Sequence, residues 1–362
     1  MPLPRKNIEK LIPYQPGKPI GELRRQLKIR KIIKLASNEN PLGPSPKSKQ
    51  AIKKALSEIN RYPEGSCFYL RRGLSRKLKL KPDMLVFGNG SDELIDIIIK
   101  TFVEEGENIV TADITFLEYQ IIARTLGREV IEVGLRNFRY DLKSMLRVIN
   151  RKTKVIFIAN PNNPTGTYVT ARELNEFIKK VPRRVLVVLD EAYDIFVDAA
   201  DFPRSMNYLK ARGNVIILKT FSKAFGLAGL RIGYAIGPER LISYMERVRP
   251  PFNVNLLAQV ASAAALEDKD YIKKTRQSII EGRKYICSQL VKLGLAFLPS
   301  VANFILIDVA RDGKELYKEM LKYGLIVRDM QQYGLSNFIR VTVGSRTENR
   351  KFIRVLSQIL IK

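Results

Sequence analysis

Short apolar segments alternate with amphipathic ones along the first two thirds of this chain, and turn-favouring residues follow each apolar segment. The segment VLVVL at residues 185–189 is apolar at every position, so both of its faces must be covered. A buried strand with helices above and below it meets that requirement. The pattern predicts an α/β fold with a doubly wound, mainly parallel sheet, whose strands lie near residues 84–87, 108–111, 130–133, 155–159, 185–189 and 215–218.

The pattern changes after residue 237. Pro250 and Pro251 interrupt the chain before a long helical region expected roughly at residues 256–293. Beyond it, a helix near residues 313–322 and a last helix from Glu348 accompany further strands. These strands are expected near residues 303–309, 325–328 and 338–343.

The N-terminal 21 residues carry prolines at positions 2, 4, 13, 16 and 19, so we expect no regular helix there. They are interpreted as an arm. The change of pattern near the Pro-Pro break favours a domain boundary. We predict an arm at residues 1–30, a large domain at residues 31–247 and a smaller α+β domain at residues 248–362.

Composition excludes several kinds of active site. The chain contains no histidine, so it cannot hold a Ser-His-Asp triad, a Cys-His pair or a histidine zinc site. Cys67 and Cys287 lack metal-ligand spacing and are expected to be independent reduced thiols. Acid-base chemistry is therefore left to Lys, Tyr or carboxylate side chains, and no metal is predicted.

The charge and hydropathy of the chain bear on its location and partners. No apolar run approaches the roughly 18 to 20 residues that cross a bilayer, and residues 1–10 lack the apolar core of a secretory signal, so we expect a cytoplasmic protein. The formal net charge is +27, but the basic residues are spread out and not interleaved with aromatics as in a nucleic-acid groove. We predict no nucleic-acid and no membrane partner.

Asn163, Asp190 and Lys223 each stand at or after the end of a different predicted strand, so all three should meet at one edge of the sheet. Asp190 ends an apolar strand, where a buried carboxylate is destabilising unless a cation meets it. The protonated nitrogen of a pyridine ring would be such a cation. If that ring carries a hydroxyl group, Tyr193 and Asn163 would form hydrogen bonds with it. Alternatively, Asp190 caps a helix that begins at Glu191, and Tyr193 and Asn163 are ordinary turn or core residues.

Lys223 lies in the sequence TFSKAFG at residues 220–226. Gly226 and Gly229 allow close packing around it, and desolvation beside cationic groups would lower the pKa of its amine towards nucleophilic use. Taken alone, it is equally well a solvated loop lysine. An amine for a Schiff base, a carboxylate for a ring nitrogen and donors for a phosphate together predict pyridoxal phosphate as the cofactor.

The sequence GNGSDE at residues 88–93 joins a predicted strand to a helix and presents backbone N–H groups where a phosphate is favoured. Arg231 could grip two phosphate oxygens. Because apolar residues flank Arg231, we expect it to have a buried partner; the alternative is a surface ion pair. The predicted phosphate ligands are Gly90, Ser91, Asp92, Thr220, Ser222 and Arg231.

Longer segments carry a resemblance to a known family. They are LIPY at 11–14, KLASNENPLGPS at 34–45, RYP at 61–63, NPNNPTG at 160–166 and RVTVG at 340–344. Over nearly its whole length the chain resembles the fold-type I pyridoxal-phosphate aminotransferases, and more narrowly the histidinol-phosphate aminotransferases. The resemblance implies a large domain with a mainly parallel sheet flanked by helices, plus a smaller α+β domain.

The resemblance also implies roles for cofactor-site residues. Lys223 would form the Schiff base with pyridoxal phosphate, Asp190 would meet the pyridinium nitrogen, and Tyr193 and Asn163 would bond the ring hydroxyl. Thr220, Ser222 and Arg231 would hold the phosphate. Phe116 would stack on the ring; the family often has Tyr at this position, so any hydroxyl role there would be lost.

For substrates, the resemblance implies a ping-pong transfer of an amino group from glutamate to imidazole-acetol phosphate, which gives histidinol phosphate. Arg340 would bind the carboxylate of glutamate and, with Tyr14 and Arg328, the phosphate of histidinol phosphate. Tyr62 would reach the cofactor phosphate of the neighbouring subunit, which implies a homodimer.

Other activities share these residues. An aminotransferase for aromatic amino acids or a decarboxylase acting on threonine phosphate would use the same cofactor site. The same scaffold also occurs in transcription regulators, but these resemble the chain only with an added helix-turn-helix domain, for which the predicted elements leave no room.

Overall fold

The computed structural model describes residues 3–9, 11–13, 19–27 and 32–360. Its strands are β1 Ile33–Lys34, β2 Leu85–Gly88, β3 Asn108–Ala112, β4 Glu129–Val133, β5 Thr153–Ala159, β6 Leu186–Asp190, β7 Val215–Thr220, β8 Gly233–Ile236, β9 Phe304–Asp308, β10 Leu325–Ile326, β11 Arg328–Asp329 and β12 Phe338–Thr342. Its helices are α1 Lys6–Glu9, α2 Ile20–Leu27, α3 Pro46–Ala55, α4 Phe68–Leu78, α5 Ser91–Phe102, α6 Glu118–Thr125, α7 Leu142–Val148, α8 Ala171–Lys180, α9 Met206–Arg212, α10 Glu239–Val248, α11 Leu256–Leu266, α12 Lys269–Lys292, α13 Gly313–Lys322 and α14 Arg346–Leu360.

Seven strands form the central sheet in the order β2-β8-β7-β6-β5-β3-β4. All neighbouring strands are parallel except β8, which runs antiparallel to both β2 and β7. The strands β5, β6 and β7 are almost wholly buried, as their apolar residues on both faces require. The predicted α/β fold with a mainly parallel sheet is confirmed.

A second, antiparallel sheet has the order β11-β12-β9. In its register Arg328 of β11 lies opposite Arg340 of β12. A short parallel pair of β1 with β10 ties the chain after residue 32 to this part of the molecule. The region predicted as one strand at 325–328 is therefore two short strands in different sheets.

Among the described residues, the two largest apolar cores lie around the two larger sheets. The larger surrounds the central sheet and extends in sequence to Leu266, and the smaller surrounds β9 and β12. Residues of the loops after β6 and β7, Tyr193, Phe196 and Ala224, belong to the smaller core. The carboxyl end of the central sheet is thus held against the second unit.

The long helical region expected near 256–293 is helical and consists of two helices, α11 and α12, separated at residues 267–268. The helix α11 packs on α3 and α4 in the larger core, whereas α12 buries Ile279, Ile286 and Leu290 in the smaller one. One straight helix could not face both cores. The domain boundary at residue 248 stays a prediction. Residues of α11, which follow that boundary in sequence, still belong to the core of the central sheet.

The expectation that residues 1–21 hold no regular helix is wrong. The one-turn helix α1 lies in the proline-free stretch between Pro4 and Pro13, and α2 begins at Ile20, directly after Pro19. Arg5 and Asn7 donate to the carbonyls of Thr125 and Arg124 at the end of α6, which fixes this turn on the larger unit. In the described part of the chain, every helix is too short or too polar to traverse a lipid bilayer.

Candidate active site

A cavity of about 460 Å³ opens at the carboxyl ends of β5, β6 and β7, between the two apolar cores. Parallel strands end at this edge, so side chains far apart in sequence converge there. The predicted site residues that line it are Ser91, Asp92, Phe116, Asn163, Asp190, Tyr193, Thr220, Ser222, Lys223, Arg231, Arg328 and Arg340.

Asp190 is buried at the end of β6, and its two carboxylate oxygens have different donors. The Tyr119 hydroxyl donates to Oδ2 at 2.6 Å and the Ala192 backbone N–H donates to Oδ1 at 3.1 Å. Burial raises the pKa of Asp190 to about 6, and the carboxylates of Asp92 and Glu191 add to the rise, while these two hydrogen bonds oppose it. Asp190 is therefore a desolvated carboxyl group whose ionised form a cation in the cavity would stabilise.

The alternative in which Asp190 caps a helix from Glu191 is wrong. The chain makes a turn after Asp190, and a single 3₁₀ turn begins only at Asp194. The bond from the Ala192 N–H is the local two-residue contact typical of an aspartate at a turn.

Tyr193 is buried beside Asp190, and its hydroxyl oxygen accepts a hydrogen bond from Asn38 Nδ2 at 3.0 Å. Its ring lies edge-on to Phe304, with 5.1 Å between the ring centroids. Burial raises the pKa of Tyr193 to about 12, although Arg340 and Asn38 work against the rise. The phenol thus keeps its proton and can donate it to an oxygen in the cavity.

Lys223 follows β7 in the loop that closes the cavity, and its side chain is partly buried. Its Nζ donates to the carbonyl of Ser37 at 3.3 Å and lies 5.7 Å from the centroid of the Tyr193 ring. Ser37 belongs to the segment after β1, so the loop from the smaller unit orients the lysine. An amine, a phenol and a carboxylic acid therefore share one wall of the cavity.

The segment predicted to bind a phosphate forms the start of α5. Gly90 precedes the helix with φ 88°, and Ser91 and Asp92 are its first two residues, so their backbone N–H groups are at the positive end of the helix. A Cβ on Gly90 would lie 2.5 Å from Arg231 Nη2, so glycine is needed for the guanidinium to approach. The backbone N–H groups at the start of α5 therefore surround a part of the cavity that could hold a phosphate.

Arg231 has the partner that its apolar surroundings led us to expect, but the pair is not buried. Its Nη2 donates to Asp92 Oδ2 at 2.6 Å, and the two side chains are 43% and 41% exposed. The expectation of a buried partner is wrong because Arg231 itself turns, at φ 53°, so that its side chain points out to the cavity mouth. Thr220 and Ser222 lie at the same wall, with the Ser222 N–H bonded to Thr220 Oγ1 at 3.0 Å.

Arg340 crosses the opposite wall of the cavity and is buried. One guanidinium nitrogen donates to Asn163 Oδ1 and Nη2 donates to the Ala36 carbonyl at 2.8 Å, while its Nε has no partner among the described residues. The guanidinium lies over the ring of Phe304, 5.3 Å from its centroid. Because a buried donor without a partner is costly, this side chain is suited to receive an anion.

Arg328 is buried on the neighbouring strand, directly across from Arg340. Its Nη2 donates to Gln332 Oε1 at 2.9 Å, and Gln332 Nε2 donates to the Pro13 carbonyl at 3.3 Å. Two guanidinium groups therefore face the same end of the cavity. Tyr14, the third predicted phosphate ligand, lies outside the described residues.

Two predicted aromatic residues take different positions. Phe116 lines the cavity and meets Tyr119 edge-on, with 5.6 Å between centroids. Tyr62 does not line the cavity of its own chain; it is 82% exposed and stacks on Phe252 at 4.8 Å.

Two residues that contact the predicted ones were not predicted from the sequence. Tyr119 bonds Asp190, and Asn38 bonds Tyr193. Asn38 lies within the segment at 34–45, but nothing in that segment singles it out from its neighbours. Tyr119 follows Phe116 by three residues, and its backbone N–H donates to the Phe116 carbonyl in the turn that leads into α6, so its position beside Phe116 could have drawn attention to it.

Comparisons with known proteins identify the family. The family described as Aminotransferase class I and II matches residues 30–356. The chain is 48% identical to histidinol-phosphate aminotransferase of Moorella thermoacetica over 99% of this chain and 94% of that protein. It is 43% identical to histidinol-phosphate aminotransferase 2 of Carboxydothermus hydrogenoformans over 98% and 99% of the two chains.

A solved structure agrees with these relatives. The fold is similar, with a TM-score of 0.91 and 28% identity, to the crystal structure of histidinol-phosphate aminotransferase from Sinorhizobium meliloti in complex with pyridoxal-5'-phosphate, covering 98% of this chain and 97% of that one. The resemblance noted from the sequence segments is thereby confirmed. The chain belongs to the class I and II aminotransferase family.

Proposed function

We propose that this protein is a pyridoxal-phosphate-dependent aminotransferase that moves an amino group between glutamate and imidazole-acetol phosphate, with histidinol phosphate as product. One observation carries the proposal: a lysine amine, a buried carboxylic acid and two arginines line one cavity in a chain whose full-length relatives bear the name histidinol-phosphate aminotransferase.

The residues present fit the cofactor. The two hydrogen bonds that the buried Asp190 carboxyl accepts come from neutral donors, the Tyr119 hydroxyl and the Ala192 N–H, so its charge is matched to a protonated pyridine nitrogen. The N–H groups of Ser91 and Asp92, the hydroxyls of Thr220 and Ser222, and Arg231 would hold the phosphate.

Around the ring, four further side chains would act. Lys223 would hold the cofactor covalently, and Phe116 would cover one ring face. Tyr193 and Asn163 would direct their polar atoms to the ring hydroxyl, where the phenol proton of Tyr193 is available because burial keeps its pKa high.

When bound, pyridoxal phosphate supplies an aldehyde carbon that takes up the amino group and a ring that withdraws electrons from the substrate Cα. Asp190 would remain ionised beside the ring nitrogen and keep it protonated. Lys223 Nζ would accept the proton from the substrate Cα and return it to the carbon that was the cofactor aldehyde. Its amine stands on the same wall of the cavity as Asp190 and Tyr193. The hydrogen bond from Lys223 to the Ser37 carbonyl would orient the amine for this transfer.

Both proposed substrates present an anion, and a guanidinium can bind a carboxylate or a phosphate with two parallel hydrogen bonds. Arg340 is held by Asn163 and Ala36 with its Nε still unpaired, so it is pre-oriented for such an anion. Arg328 would add a second positive charge, which a phosphate dianion needs more than a carboxylate does. Tyr14 would complete this end of the site.

We also propose a homodimer in which Tyr62 reaches the cofactor phosphate of the partner subunit. Its high exposure supports that role, as does its position outside the described lining of the cavity in its own chain. The cytoplasmic location and the absence of nucleic-acid and membrane partners stay proposals.

The test measures kcat/KM with histidinol phosphate, phenylalanine and threonine phosphate, each with its proper co-substrate. We expect histidinol phosphate to be preferred by at least an order of magnitude, and Arg340→Gln to lower kcat/KM for both histidinol phosphate and glutamate by roughly 10- to 100-fold, the worth of a charge-assisted bond. A preference for phenylalanine or threonine phosphate would instead favour the aromatic aminotransferase or the decarboxylase.

The cofactor is tested separately by the visible absorbance of the purified protein before and after glutamate is added. Lys223→Ala should remove the absorbance of the covalently held cofactor while leaving the fold unchanged by circular dichroism. A colourless wild-type protein that ignores added pyridoxal phosphate would overturn the proposed function.

A further inference from the structure

Tyr119 is a fully buried side chain whose ring is clamped from two sides. It stacks on Phe157 with 4.8 Å between centroids and a 13° angle between the rings, and it meets Phe116 edge-on at 86°. Phe157 lies in β5 and Tyr119 in the first turn of α6, so the position of the phenol is fixed by the central sheet. A ring held in this way can aim its hydroxyl at one atom only.

That atom is Asp190 Oδ2, at 2.6 Å. The distance is in the range typical of a hydroxyl bonded to an ionised carboxylate. Because the Ala192 N–H holds Oδ1, the carboxylate is fixed at both ends and cannot rotate away from the cavity. Tyr119 is the side chain that supplies this second contact.

The electrostatic surroundings make the hydroxyl important. Burial, Asp92 and Glu191 all favour the protonated form of Asp190, and the hydrogen bonds from Tyr119 and Ala192 are the named influences that lower the pKa. The phenols of Tyr140 and Tyr193 also face this region, but each is neutral, since burial raises the pKa of both to about 12. Burial keeps the pKa of Tyr119 well above its usual value, so it remains a donor.

We propose that Tyr119 is a positioning residue that fixes the orientation and the negative charge of Asp190 towards the cofactor ring nitrogen. This inference rests on the proposed function, because it assigns a role within the same site. Tyr119 also touches Phe116, so one side chain links the group that would cover the ring to the group that would meet its nitrogen.

The test variant is Tyr119→Phe, which keeps both ring contacts and removes only the hydroxyl. The control is Tyr140→Phe, another buried tyrosine, whose hydroxyl lies 2.6 Å from Thr115 Oγ1 and accepts from the Ala159 N–H rather than bonding Asp190. In the cofactor-free proteins, infrared difference spectra against Asp190→Asn follow the protonation of the Asp190 carboxyl with pH. We expect its midpoint to rise by roughly one to two pH units in Tyr119→Phe, the worth of one hydrogen bond to a charged group.

In the holoenzyme, Tyr119→Phe should lower kcat at pH 7 by roughly tenfold and change KM for either substrate by less than about threefold, because substrate contacts stay in place. Tyr140→Phe should keep the wild-type kcat. A purely structural role of Tyr119 would lower kcat without moving the carboxyl midpoint of the cofactor-free protein.

An unchanged carboxyl midpoint in Tyr119→Phe, or the same shift in Tyr140→Phe, overturns the inference. The carboxyl titration needs no substrate, so its result is independent of which substrate the enzyme prefers. If the wild type does not turn over histidinol phosphate while the midpoint still shifts, the substrate assignment fails and the role of Tyr119 stands.

Discussion

Arg231 and Asp92 form an ion pair at the mouth of the cavity, with Nη2 of the arginine 2.6 Å from Oδ2 of the aspartate. The arginine is the strongest candidate for a cofactor phosphate ligand, and the aspartate is the second residue of the helix whose N-terminus would face the same phosphate. A carboxylate and the cofactor phosphate would therefore compete for one guanidinium.

We predict that Asp92→Asn tightens the binding of pyridoxal phosphate by roughly two- to fivefold, since an exposed ion pair is worth at most about 1 kcal/mol. Asparagine keeps the backbone N–H at the helix start and removes the competing charge. The dissociation constant is measured by fluorescence or absorbance titration of the cofactor-free protein. Pyridoxal without its phosphate serves as control and should bind both proteins alike; weaker binding of pyridoxal phosphate by the variant would contradict the competition.

Asp190→Asn should stabilise the cofactor-free protein at neutral pH. The pKa of Asp190 in the folded protein, about 6, lies above its unfolded value of about 3.9. The protonated carboxyl therefore contributes to the stability of the fold fully below pH 4, and this contribution is lost as the pH rises through 6. The difference corresponds to roughly 3 kcal/mol. Asparagine carries no charge to desolvate, and its amide oxygen can still accept from the Ala192 N–H.

The measurement is urea unfolding of both cofactor-free proteins between pH 4 and pH 8. The free energy of unfolding of Asp190→Asn, relative to that of the wild type, should rise through this window. The difference should become constant above about pH 7. With the cofactor bound, the order should reverse, because the ring nitrogen then compensates the carboxylate. A stability difference that does not vary with pH would mean that Asp190 is not a desolvated acid.

The parts of this structure that the sequence predicted well depend on local patterns. Strands β5, β6 and β7 are apolar at nearly every position, so their burial and parallel pairing could be predicted, and with them the convergence of Asn163, Asp190 and Lys223. The segment at 88–93 similarly predicts a glycine turn before a helix, which is how α5 begins.

Contacts between distant segments could not be predicted in this way. The bond from Tyr119 to Asp190 spans 71 residues and depends on how α6 packs over the sheet, which no local spacing encodes. The exposure of Arg231 depends on its left-handed backbone, although its neighbours are apolar. The break between α11 and α12 follows from two cores that lie on different sides of the chain, and that too is a tertiary property.

Tyr62 offers a test of the proposed dimer. Its ring is 82% exposed in one chain, close in sequence to the exposed Ile59 and Tyr69. Tyr62→Ala should weaken cofactor binding by removing a donor to the phosphate, and Lys223→Ala should remove activity. When the two variants are unfolded and refolded together, half of the dimers are mixed and each contains one intact site, so about a quarter of wild-type activity should return. No recovery on mixing would place Tyr62 outside the partner's active site.

Behind Asp190, a buried lysine joins two carboxylates. Lys219 Nζ lies 2.5 Å from Glu191 Oε2 and 2.5 Å from Asp194 Oδ2. Burial opposes the charge of Lys219, but Asp194 and Glu191 outweigh it and raise the pKa of the amine, so the lysine stays cationic. Since Glu191 and Asp194 flank Tyr193, this cluster anchors the turn that carries the tyrosine to β7.

Lys219→Met should therefore destabilise the fold by roughly 3 to 5 kcal/mol, because it leaves two carboxylates in a desolvated place without their cation. Lys318→Met is the matched control: it breaks the pair with Glu315, whose side chains are 54% and 57% exposed, and should leave the free energy of unfolding nearly unchanged. Urea unfolding at pH 7 measures both. The loss of stability in Lys219→Met should shrink as the pH falls from 7 to 5, because burial raises the pKa of Glu191 and its protonation removes an unpaired charge; a loss that is equal at pH 5 and pH 7 would show that lost packing causes it.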